Sequence, residues 1–88
     1  MPAMPWQFVR LQRDARYVEL RLQPDLFGWV VTRVAGDVQG GGATRKTMPC
    51  ADYPEAIHLW NRAVRACKRR GYAPVAPASA PSPAPLSA

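Results

Sequence analysis

Acidic residues, histidine and cysteine are all scarce in this 88-residue chain, which has six aspartates and glutamates, one histidine and two cysteines. Two cysteines are too few for a disulfide framework. Cys50 and Cys67 also lack the short paired spacings of a zinc site. They read as small buried thiols, kept reduced. The single histidine, His58, has no nucleophile signature and no carboxylate pair near it in sequence, which argues against a catalytic triad or a metal centre. The expectation is a protein that is not an enzyme and uses no cofactor, metal or small-molecule substrate. No apolar run approaches the ~18 residues of a membrane span. The stretch from Met1 to Pro5 has neither the basic start nor the apolar run of about seven residues that marks a signal peptide. A cytoplasmic protein without membrane contact is expected.

Positive charge is present in excess: 12 lysines and arginines against six acids give a net charge of +6. All of it falls before Ala73. The segment from Ala73 to Ala88 holds five of the ten prolines, six alanines and no charge. Such a composition cannot repay its ordering entropy, so residues 73–88 are expected to form a disordered tail. Residues 1–5 are expected to be a flexible lead. One domain over residues 6–72 remains, of a size that buries roughly 60% of its unfolded surface.

Within that domain, Val18, Leu20 and Leu22 alternate with Tyr17, Glu19, Arg21 and Gln23. A period of two is the mark of a half-buried strand. Trp6 to Gln12 reads as the strand before it, joined through the hairpin residues Arg13, Asp14 and Ala15. Pro24, Asp25 and Gly28 supply turn chemistry. Trp29 to Val34 is aromatic and β-branched enough for a third strand with both faces covered, expected to fray near Gly36. After the flexible Gly40-Gly41-Gly42 loop, Ala43 to Met48 reads as a polar edge strand ended by Pro49.

Asp52 and Glu55 stand at capping-box spacing, with Pro54 in the first turn. Ala56, Leu59, Trp60, Ala63, Val64 and Cys67 then recur at three- and four-residue steps and form one apolar stripe. Lys68, Arg69 and Arg70 suit the negative end of a helix, and Gly71 suits its closing turn. A helix from Tyr53 to Arg70 follows. The fold class is α+β: an antiparallel four-stranded sheet packed against one main C-terminal helix, with Trp29 and Trp60 in the core.

The glycine loop lacks the lysine and hydroxyl of a phosphate-binding loop. The chemistry that remains is a basic surface. Arg62, Arg65 and Arg69 share the solvent side of the helix, Arg45 and Lys46 follow the glycine loop, and Arg33 lies on the third strand. Such residues can track a phosphate backbone through contacts that position without specifying sequence and weaken with salt.

The order Tyr17-Val18-Glu19-Leu20-Arg21-Leu22, Asp25-Leu26-Phe27-Gly28-Trp29, Thr32-Arg33, a glycine-rich loop, Glu55-Ala56 and Lys68-Arg69-Arg70-Gly71-Tyr72 resembles the WGR domain over Trp6 to Tyr72. In that family an antiparallel sheet packs on one main helix. The module occurs in poly(ADP-ribose) polymerases, where it engages DNA breaks and neighbouring domains, and in short bacterial proteins. By spacing, the Trp-Gly-Arg of the family falls on Ala35, Gly36 and Asp37, so only the glycine is kept. Alanine cannot replace an aromatic stacking contact of roughly 1–3 kcal/mol, and an aspartate repels phosphate. These losses argue against break recognition in the family manner. The resemblance and the charge together imply a WGR-like module binding nucleic acid weakly, DNA in preference to RNA, through Arg33, Arg45, Lys46, Arg62, Arg65 and Arg69. The alternative is a protein-interaction or regulatory module that docks an acidic protein partner through the loop Ala35 to Gly42 or the edge at Ala43 to Met48.

Overall fold

The computed structural model describes residues 6–26 and 28–75. Four antiparallel strands, β1 (Gln7–Arg13), β2 (Arg16–Asp25), β3 (Gly28–Asp37) and β4 (Thr44–Cys50), form a meander, followed by the helix α1 (Tyr53–Arg69) and a short β5 (Ala73–Val75). The sheet order is β4-β3-β2-β1-β5. The architecture is α+β with one C-terminal helix, as expected, but the sheet has five strands where the sequence predicts four. The fifth comes from the first residues of the expected tail: Ala73, Pro74 and Val75 pair with Gln12, Leu11 and Arg10. A proline is tolerated there because β5 is an edge strand. The ordered body thus runs past residue 72. The expected flexible lead (residues 1–5) and the rest of the tail (76–88) lie outside the described residues.

The register explains the alternation. Val18, Leu20 and Leu22 on β2 stand opposite Leu11, Val9 and Gln7 on β1 and Ala35, Arg33 and Val31 on β3. The helix covers this face. Leu11, Val18, Leu20, Leu22 and Val31 are at most 1% exposed. Two apolar clusters result. One gathers Leu11, Val18, Leu20, Ala35 and Cys67, and the other Leu22, Val31, Cys50 and Ala56. Trp60 packs against both. Trp29 belongs to the second cluster and meets Tyr53 edge-on, with ring centroids 5.0 Å apart. Both tryptophans are half-buried and pack against the core clusters.

Strand ends differ from expectation at three places. Pro24 and Asp25, expected in the turn, are the last paired residues of β2, opposite Trp29 and Gly28. β3 does not fray near Gly36 but stays paired as far as Asp37, and Pro49 lies inside β4 opposite Val30. At the β2–β3 hairpin, Asp25 pairs with Gly28, whose φ is +150°. A Cβ at Gly28 would lie 2.5 Å from the Cys50 carbonyl oxygen and 2.9 Å from that of Ala51. Backbone atoms cannot yield as a side chain can. Gly28→Ala therefore combines left-handed strain with overpacking, and a loss of about 3 kcal/mol is expected. The urea midpoint measures it.

Candidate nucleic-acid interface

The basic residues of the helix are fixed in place by caps at both of its ends. Asp52, extended at the N-cap, accepts from the Glu55 N–H at 3.0 Å, and Glu55 Oε1 accepts from the Ala51 N–H at 2.9 Å. At the other end, the Tyr72 N–H donates to the Cys67 carbonyl and the Gly71 N–H to that of Lys68, with Gly71 at φ +93°. This is a Schellman closure, completed by Tyr72 packing against the cluster that holds Cys67. Arg13 Nη1 donates to the Arg70 carbonyl oxygen at 2.9 Å, so β1 also ties down the helix end.

Arg62, Arg65 and Arg69 line one shallow groove of about 360 Å³, whose floor is Leu59, Ala63 and Ala66. All three arginines are exposed. Arg62 and Arg69 are seven positions apart, about 10 Å along the helix axis. Leu59 and Ala63 reach down into the core clusters, so the groove floor is as rigid as the helix packing beneath it.

Arg33 and Lys46 are direct cross-strand partners. They share the helix-bearing face with the Val31–Met48 and Ala35–Thr44 pairs. Like charges directly opposite one another destabilise a sheet, and an anion between them removes that cost. Arg45 does not join them. It stands opposite Val34, whose other partner is Glu19, and so lies on the face turned away from the helix. Five of the six sequence-predicted cations thus belong to the helix side and one to the reverse. Among the described residues, none of the six makes an ion pair; the pairs found join Glu19 to Arg10 and Arg21.

Ala35, Gly36 and Asp37, at the end of β3, have structural roles. Gly36 is buried opposite Tyr17, and a Cβ there would lie 2.9 Å from the Tyr17 hydroxyl and 3.1 Å from its ring. Close approach of the ring is what requires a residue without a side chain here. The Asp37 carboxylate accepts from the Gln39 N–H at 3.0 Å, and the Val38 N–H donates to the Ala15 carbonyl at 2.7 Å, anchoring the start of the glycine loop to the first hairpin. Ala35 packs in the core. Gly36→Ala is expected to cost about 1–3 kcal/mol. In a Tyr17→Ser background most of that cost should vanish, which a double-mutant cycle on urea midpoints reads directly.

Cys50 and Cys67 are buried and unbonded. Burial pushes both thiols up from the ordinary cysteine value. Glu55 and Asp52 add to this at Cys50, while Arg33 and Arg70 oppose it at Cys67. Above the unfolded thiol value of 9.0 the unfolded chain loses protons that the folded chain keeps, so stability falls as pH rises through that point. The urea midpoint is expected to drop between pH 8 and pH 10, and to drop less in Cys50→Ala/Cys67→Ala. A flat profile for the parent chain contradicts this.

The sequence reading did not single out the reverse face of the sheet. There Arg10 lies over the Tyr17 ring at 4.3 Å and Arg21 over the Phe8 ring at 5.5 Å. Its trace in the sequence is the polar half of the β2 alternation, Tyr17, Glu19 and Arg21. His58 is exposed on the helix. No helix among the described residues is long and apolar enough to cross a membrane. No protein-family model, curated protein or solved structure matches the chain.

Proposed function

We propose that this chain is a non-enzymatic, WGR-like module that binds nucleic acid, DNA in preference to RNA, through the helix side of the domain. One observation carries the reading: Arg33, Lys46, Arg62, Arg65 and Arg69 lie on that side and have no acidic partner among the described residues. Phosphates would meet the arginines on the groove rim and relieve the Arg33–Lys46 repulsion. The apolar floor of small side chains lets a sugar–phosphate chain approach the helix closely. Binding of this kind is weak, indifferent to sequence and steep in salt. The Asp37 carboxylate, engaged in its own turn, offers nothing to a DNA end, so the reading does not extend to break recognition.

Fluorescence anisotropy with a labelled duplex, titrated from about 50 to 200 mM salt, tests the reading. A linear log–log dependence is expected. In Arg62→Glu/Arg65→Glu/Arg69→Glu, binding at low salt should fall by at least tenfold, whereas Arg45→Ala should leave duplex affinity nearly unchanged. Failure of the parent chain to bind duplex at about 50 mM salt removes the reading. A protein-docking role has one observation of its own. The outer edge of β4 carries no strand among the described residues, and recovery of a nuclease-resistant partner through that edge would favour it.

A further inference from the structure

The helix covers one face of the sheet; among the described residues, no element packs on the other. On that open face the strand register places Phe8 beside Arg21, Arg10 beside Glu19, and Arg45 one strand beyond Val34. The arrangement is ordered. Glu19 holds Arg10 at 3.0 Å and reaches Arg21 at 3.6 Å, while each guanidinium lies over an aromatic ring, Tyr17 for Arg10 and Phe8 for Arg21. The Tyr17 ring is in turn seated on Gly36. Arg21 Nε is buried without a hydrogen-bond partner, so this guanidinium is not fully satisfied within the protein.

We infer that this face is a stacking platform for single-stranded nucleic acid, separate from the helix groove and sharing no residue with it. Guanidinium planes and aromatic rings are the surfaces on which unpaired bases stack, and an open sheet displays them to two or three successive bases. Arg10, Arg21 and Arg45 outnumber the carboxylates of Glu19 and, at the far end of β2, Asp25, so the face stays net positive and complementary to phosphate. The same charge opposes face-to-face pairing with a second copy, which would bring the arginines of both together.

The test measures the full chain against a labelled octathymidylate and an abasic octamer of equal charge. The thymidylate is expected to bind about tenfold more tightly, as stacking of one or two bases implies. Phe8→Leu keeps apolar bulk and Arg21→Lys keeps charge, yet each should bring that ratio close to one. The helix-groove triple variant should leave the ratio intact, so the two sites fail independently. Arg45→Ala, on an exposed edge strand, should weaken both octamers about threefold without disturbing the fold. Equal binding of the two octamers by the parent chain overturns the proposal, as does a ratio unmoved in Phe8→Leu and Arg21→Lys. So does unchanged affinity in Arg45→Ala. Flotation with phosphatidylglycerol vesicles that Phe8→Leu abolishes, with octamer binding unaffected, would assign the face to a lipid surface instead.

Discussion

One contact holds the domain together: the apolar stripe of β2 against the apolar stripe of α1. Val18, Leu20 and Leu22 lie beneath the helix with essentially no exposure, and Trp60 touches the clusters at both ends of that stripe. A domain of this size buries too little surface for a second core to compensate. The helix caps, the Schellman closure and the clamp from Arg13 all fix the angle and height of this single contact. Gly28 serves the same end from the sheet side, because it lets β3 begin tight against the backbone at the end of β4.

A single helix over a five-stranded sheet leaves two chemically different surfaces. The helix side presents exposed arginines over small side chains, with Arg33 and Lys46 set against each other. The reverse side presents cations already immobilised on aromatic rings and steadied by Glu19. Long mobile arginines suit a ligand of uniform charge and variable geometry. Arginines stacked on rings suit flat ligands, since their rotamer freedom is already lost before anything binds. The same residue type thus serves two kinds of recognition according to what lies beneath it.

The two periodicities made much of the fold legible in the sequence. Alternation in Tyr17 to Gln23 and the stripe from Ala56 to Cys67 are local patterns, and both are reproduced with ends displaced by a residue or two. Asp52, Glu55 and Gly71 announced the helix ends because caps use neighbouring residues. What escaped depends on partners distant in sequence. Ala73 to Val75 carry no strand signal of their own and become a strand only because β1 offers an unpaired edge. Gly36 reads from the sequence as a strand end needing a small or positive-φ residue; smallness is what the site needs, and the reason is the Tyr17 ring on the next strand. Arg45 and Lys46 are adjacent in sequence, and pleating alone sends them to opposite faces. The functional candidates on the helix were visible in the i, i+3, i+7 spacing. Those on the reverse face required knowing that no element among the described residues packs there.

β5 makes only three pairings with β1, and the whole meander and helix separate it from that strand in the chain. So few pairings closing so long a loop return little against its closure entropy. Release of β5 costs little compared with global unfolding and uncovers a row of free amides and carbonyls along β1. Reciprocal strand exchange between two molecules, each lending its β5 to the other's β1, would restore those hydrogen bonds without disturbing the packing under the helix.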